Sequence, residues 1–151
     1  MIRLTADTFD PGAALNRFTA GRTVTGAVAS FLGIARGEAG QATALELEAY
    51  PGFTEARIAA FIETAIHRFG LQDAEVIHRV GPIPPGDPIV LVLTAAGHRR
   101  EAFEACDYLM DYLKSRAPFW KKEYGPGGAR WVEPTTRDLA DIERWRETEQ
   151  T

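Results

Sequence analysis

The chain has 151 residues, is 45% hydrophobic and 25% charged, and carries a formal net charge of −4. These values fit one ordinary soluble domain and exclude general disorder, and the densest apolar run, Ile89 to Ala96, is of strand length, far short of the ~20 residues of a membrane-spanning helix. A single cysteine, Cys106, excludes an internal disulfide, a paired-cysteine redox motif and any multi-cysteine metal site, and it suits a reducing cytoplasm.

In chain order, Met1 to Thr5 lacks the long apolar core of a signal peptide. Asp10 followed by Pro11 reads as an N-cap and first helical residue, opening a short helix that carries Ala14, Leu15 and Phe18. Val24 to Leu32 reads as a strand with Val24, Gly26, Val28, Ser30 and Leu32 on one face. A glycine-bearing loop, Gly33 to Gly40, surrounds Arg36. Leu45, Leu47 and Ala49 alternate with Glu46, Glu48 and Tyr50, the pattern of a half-buried strand. After Pro51-Gly52, the residues Ile58, Phe61, Ile62, Ala65, Ile66 and Phe69 form one helical stripe, which Gly70 is placed to end.

Ala74 to Val80 reads as a strand, Pro82 to Pro88 as a stiff loop, and Ile89 to Ala96 as a central strand. A second long helix, about Arg99 to Arg116, buries Phe103, Cys106, Leu109, Met110 and Leu113 and stops before Pro118. Phe119 to Tyr124 is extended, Gly125 to Gly128 turns, Arg130 to Glu133 forms a last strand, and Asp138 to Glu147 a last helix with Leu139, Ile142 and Trp145 on one side. No repeat or linker divides the chain. The expectation is one α+β domain over 1–151, with a mixed, mainly antiparallel sheet, two long packing helices and a mobile tail from about 147.

The basic residues are unevenly divided. Fourteen of 17 are Arg; the three lysines, Lys114, Lys121 and Lys122, fall within nine residues. Arg stays protonated at any working pH, whereas a crowded or buried Lys can lose its proton, so the cluster suits amine chemistry; a solvated face is the plainer alternative. Pro118 keeps Lys114 and Lys121 off a common helical face, and they meet only if the chain folds back. His98-Arg99-Arg100 marks a strand-to-helix junction, either an anion site or a simple cap. Arg36 among glycines is a weak anion-binding signal, matching neither a Walker loop nor a dinucleotide fingerprint. Cys106 reads as inert packing, and neither His67 nor His78 has a metal-ligand partner at useful spacing. Two other readings of the basic segment are a non-catalytic small-anion clamp and a single-stranded nucleic-acid platform using Phe119 and Trp120, the latter opposed by the net negative charge.

Several stretches together resemble the large, catalytic subunit of molybdopterin synthase. They are Gly26-Ala27-Val28 through Arg36, Leu45 through Gly52, Val76 through Gly81 and Pro85-Gly86-Asp87. More specific are Ala96-Gly97-His98-Arg99-Arg100-Glu101-Ala102-Phe103, Met110 through Lys114, Ala117 through Glu123, and Trp131-Val132-Glu133. The likeness runs in order over roughly residues 24–133.

The resemblance implies an α/β-hammerhead fold and a central dimer of large subunits. The implied reaction inserts two sulfurs into cyclic pyranopterin monophosphate, giving the molybdopterin dithiolene. Sulfur arrives as a thiocarboxylate on the C-terminal glycine of a small ubiquitin-like partner; this chain itself ends Glu149-Gln150-Thr151. No cofactor or metal is implied. Position by position, the resemblance makes Lys114 and Lys121 the catalytic lysines. It puts Arg36, His98, Arg99, Lys122 and Glu123 at the substrate pocket. The loop Gly37-Glu38-Ala39-Gly40-Gln41 departs from relatives that carry Asn there. Which of Arg130, Arg137 or Arg144 joins the pocket is left open.

Overall fold

The computed structural model describes residues 1–37 and 44–147; the divergent loop beyond Gly37 and the expected mobile tail lie outside them, as do the side chains of Ala44 and Glu147. The elements are β1 (Ile2–Thr5), α1 (Pro11–Thr19), β2 (Ala27–Ile34), β3 (Ala44–Ala49), α2 (Phe53–Phe69), β4 (Asp73–Arg79), β5 (Gly81–Ile83), β6 (Pro88–Ala96), α3 (Arg99–Ser115), β7 (Phe119–Gly125), β8 (Gly128–Val132) and α4 (Thr136–Glu147).

The local signals act as expected at most helix ends. Asp10 accepts from the Ala13 N–H at 3.0 Å with Pro11 behind it. Gly70 closes α2 in the left-handed conformation (φ 63°), where a side chain would be strained. The last helix starts two residues earlier than read, because Thr135 and Asp138 cap it reciprocally: the Asp138 N–H donates to Thr135 Oγ1 at 3.1 Å and the Thr135 N–H to Asp138 Oδ2 at 2.8 Å.

The expected α+β architecture is present, with its strands divided between two sheets. The first runs β1-β4-β6-β2, with β1 parallel to β4 and the rest antiparallel; the second, β5-β3-β7-β8, is antiparallel throughout. Helices α2 and α3 cover one face of the first sheet, packing Ile58, Ile62, Ala105 and Leu109 against Val76 and Val92. Helix α1 covers the other face, packing Ala14 and Phe18 against Ile77, Leu91 and Leu93. Burial on both faces explains why β6 reads as an unbroken apolar run rather than an alternating one. Helix α4 lies along α3, where Arg144 grips Asp107 and Asp111 (2.9 and 2.5 Å) and the Trp145 indole N–H donates to Asp111 Oδ2 at 2.6 Å.

Four readings are corrected. Phe103, read on the buried face of α3, is 64% exposed. Ile2–Thr5, left without an element, is a strand paired with β4. The loop read over Pro82 to Pro88 overlaps strand β5, whose Pro82 is tolerated because β5 is an edge. Strand β2 starts at Ala27, leaving Val24 82% exposed outside it.

Candidate active site

The segment after α3 folds back on itself. The Ala117 N–H donates to the Tyr112 carbonyl at 2.9 Å, ending the helix, and Pro118 prevents its continuation. The fully buried Thr54 hydroxyl donates to the Pro118 carbonyl at 2.9 Å and accepts the Tyr50 N–H at 2.8 Å, pinning the turn to the start of α2. Strand β7 then runs antiparallel to β3, with Phe119 opposite Ala49 and Lys121 opposite Leu47. The chain therefore does bring Lys114, in the last turn of α3, and Lys121, on β7, to one place.

That place is a pair of adjoining cavities between the two sheets and the C-terminal end of α3. One, of 520 Å³, is lined by apolar groups including Phe31, Leu45, Leu47, Ile89, Met110 and Phe119, by His78, and by Glu133, Thr135 and Asp138 at the start of α4. The other, of 450 Å³, is lined by Ala35, Arg36, Ile83, Pro85 and Glu123. Lys114 and Lys121 line both. The two amines thus stand between an apolar chamber and a charged one.

Electrostatics distinguish the groups. Burial, and then the Lys114 charge, push the Lys121 pKa below the ordinary lysine value; Glu123 and Asp138 oppose this. Burial pushes the Asp138 carboxyl upward, but its bonds from Thr135 and the charges of Lys114 and Lys121 prevail and hold it below the ordinary value. A proton leaves Lys121 more easily than it leaves a solvated amine.

The residues expected at the pocket do not all converge. Arg36 and Glu123 line the charged chamber, and Glu123 pairs with Arg130 at 3.0 Å. Lys122 does not join them. Alternation along β7 turns it to the opposite face, where its Nζ lies 5.1 Å from the centre of the Trp131 ring and 5.4 Å from that of Tyr124. His98 and Arg99 lie at the other end of α3, about 22 Å from Lys114 along the helix axis. There they border a separate depression with Arg100, Glu101, Phe103 and Glu104. Arg144 is committed to the α3–α4 contact.

Sequence reasoning missed His78 and Asp138. A polar residue in phase with Ala74 and Val76 on the core face of β4 was the signal for the first; the Thr135-x-x-Asp138 capping pattern was the signal for the second. Cys106 is buried outside both cavities, and burial followed by the neighbouring Asp107 charge pushes its thiol up to about 12. Among the described residues no group of three or more His, Cys, Asp or Glu side chains is arranged to hold a metal ion.

The same fold, with a similar sequence, occurs in other proteins. The MoaE protein family profile matches residues 4–116. The chain belongs to the MoaE protein family. It is 63% identical to the molybdopterin synthase catalytic subunit of Caulobacter vibrioides, across 96% of this chain and 97% of the relative, a span that includes Lys121 beyond the end of the profile match. The molybdopterin biosynthesis MoaE protein of Burkholderia ambifaria superposes with a TM-score of 0.82 at 43% identity, over 96% of this chain and 97% of that one. The molybdopterin synthase structure from Staphylococcus aureus superposes with a TM-score of 0.78 at 26% identity, over 86% and 95% of the two chains. The MoaE fold therefore accounts for both sheets and all four described helices, including the β7 strand that carries Lys121.

Proposed function

We propose that the paired cavities are the sulfur-transfer site of a molybdopterin synthase catalytic subunit. In this reading a thiocarboxylate on the C-terminal glycine of a small ubiquitin-like partner enters the apolar chamber. Cyclic pyranopterin monophosphate occupies the charged chamber, with Arg36 gripping an anionic group. The observation that carries the reading is that Lys114 and Lys121, two of only three lysines in the chain, line both chambers at once.

The chemistry follows from the two amines. Lys114 stabilises negative charge at the thiocarboxylate carbonyl. Lys121, with its lowered pKa, exchanges a proton with the oxygen that leaves the substrate. In each round the bond between sulfur and the glycine carbonyl breaks, a carbon–sulfur bond to the pterin side chain forms, and water restores the partner's carboxylate. A dithiolene needs two such rounds. Glu123 keeps Arg130 beside the charged chamber.

His98 and Arg99 enter this scheme only from a second copy of the chain, since α3 separates them from Lys114 within one protomer; the working unit is then a homodimer with a small subunit on each protomer. Lys122 acts from outside the cavities, through the Trp131 and Tyr124 rings. No described helix is long and apolar enough to cross a membrane. In this reading the chemistry takes place in the cytoplasm, which suits a chain with a single free cysteine.

Reconstitution with a thiocarboxylated small subunit and the cyclic pterin, followed by detection of the dithiolene, tests the proposal. Product formation supports it. Tight pterin binding without turnover, tolerated equally by Lys→Arg variants, indicates an anion clamp instead.

A further inference from the structure

His78 is a buried polar residue that the scheme above leaves without a task. It follows Ala74 and Val76 on the β4 face covered by α2 and α3, is 6% exposed, and lines the same cavity as Lys114 and Lys121. Its Nδ1 lies 2.8 Å from the Arg79 carbonyl. A carbonyl only accepts, so Nδ1 carries the proton, and this bond fixes the ring's tautomer and rotation. Nε2 has no hydrogen-bond partner among the described residues. The flat of the ring stacks on Phe119, with centroids 4.2 Å apart and planes 22° from parallel.

That stack crosses a structural boundary. His78 belongs to the first sheet and Phe119 to the second, and no strand pairing joins the two among the described residues. Phe119 and Lys121 are two apart on β7, so they share its inward face. Whatever holds Phe119 against the first sheet also sets how deeply Lys121 sits.

We propose that His78 is a positioning residue of the sulfur-transfer site: its ring is the plate on which Phe119 is clamped, and the clamp fixes Lys121 beside Lys114 in the partly dehydrated gap between the chambers. The assignment rests on the role given to Lys121 above. Lys114, Lys121, Asp138 and Glu133 face the ring's cavity from α3, β7, α4 and the segment before it, and Arg79 flanks His78 on its own strand. Burial, against the backbone bond to Arg79, lowers the imidazole pKa to about 4, so the plate is uncharged wherever the lysines work.

The test reads Lys121 directly. With three lysines in the chain, reductive methylation with ¹³C-formaldehyde gives few enough signals to assign by Lys→Arg substitution and titrate one by one. In His78→Ala and in Phe119→Leu, Lys121 titrates upward toward the ordinary lysine value, because water enters as the clamp opens; His78→Phe, which keeps a flat ring, leaves it near its wild-type position. In the reconstituted reaction His78→Ala lowers kcat about tenfold while the pterin KM changes less than about threefold. If His78→Ala does not fold, Phe119→Leu decides alone. A Lys121 titration unmoved in the folded variants, or moved in only one of two folded clamp variants, overturns the proposal. Absence of sulfur transfer in wild type refutes the function assigned above, and the amine titrations still decide the clamp.

Discussion

Acid should destabilise this protein through His78 in a measurable way. The folded imidazole holds its proton only below about 4, whereas in the unfolded chain it returns to the ordinary 6.5. Between those values the unfolded state binds a proton that the folded state does not, so stability rises with pH across the window. The contribution is complete above pH 6.5 and is lost as pH falls toward 4. At 1.36 kcal/mol per pH unit, the gap corresponds to about 3 kcal/mol. That is a large share of the 5–15 kcal/mol typical of a domain.

The comparison is wild type against His78→Phe, unfolded in urea at pH steps from 4 to 7.5 and followed by tryptophan fluorescence. His78→Phe is less stable at neutral pH because the Arg79 carbonyl loses its donor, but its stability falls less steeply with acid. Carboxylates titrate in both proteins, so the difference between the curves isolates one group. Wild type should lose about 3 kcal/mol more than the variant between pH 6.5 and 4, with equal m-values. Parallel curves, or an NMR titration of His78 near 6.5, would refute the burial argument.

Other residues give separate tests. A Cβ on Gly26 would lie 1.9 Å from the Gly97 carbonyl oxygen, which leads into α3, so Gly26→Ala should cost about 2 kcal/mol and lower Tm by roughly 5 °C or more; an unchanged melt contradicts that close approach. Trp145 meets Phe69 and Tyr108 edge-on, and Trp145→Ala should cost about 2–3 kcal/mol and speed hydrogen exchange in α4 before β4 and β6, a loss that uniform exchange would deny. Cys106→Ala should keep sulfur transfer, at about 1 kcal/mol of stability, and the native thiol should resist alkylation at pH 8 until the chain is denatured. Loss of turnover in a folded Cys106→Ala protein would put the sulfur path through this chain.

The helices were legible because each is set by signals within its own length: the stripe from Ile58 to Phe69, Gly70 behind it, Asp10 and Pro11 ahead of α1. So was β6, whose seven apolar residues from Ile89 to Ala96, with Thr94 among them, demand cover on both faces. The short strands were not. Ile2–Thr5 offers only Ile2 and Leu4 in alternation, and its place depends on β4, some seventy residues later. β5 was obscured by Pro82, whose missing donor matters only away from an edge. At the site, clustering of the lysines singled out two that line the same pair of cavities, but adjacency misled: on an extended β7, Lys122 must face away from Lys121. His98 and Arg99 illustrate the opposite limit, since no property of one chain brings the two ends of α3 together. His78 was weighed only for metal binding and set aside for want of partners, while its phase on β4 already placed it inside, where the imidazole is held by a backbone carbonyl and a ring.

Sulfur transfer in this reading depends on proton exchange at Lys121, with Lys114 stabilising charge beside it, rather than on two fixed positive charges. The direct measurement is the single-turnover rate of dithiolene formation, with thiocarboxylated partner and cyclic pterin at saturation, for Lys114→Arg and Lys121→Arg. Lys121→Arg should be slower by about 100-fold or more, with pterin binding retained, because guanidinium keeps the charge and cannot give up the proton; Lys114→Arg, which keeps the charge that Lys114 supplies, should fall less. A Lys121→Arg rate near wild type would contradict it.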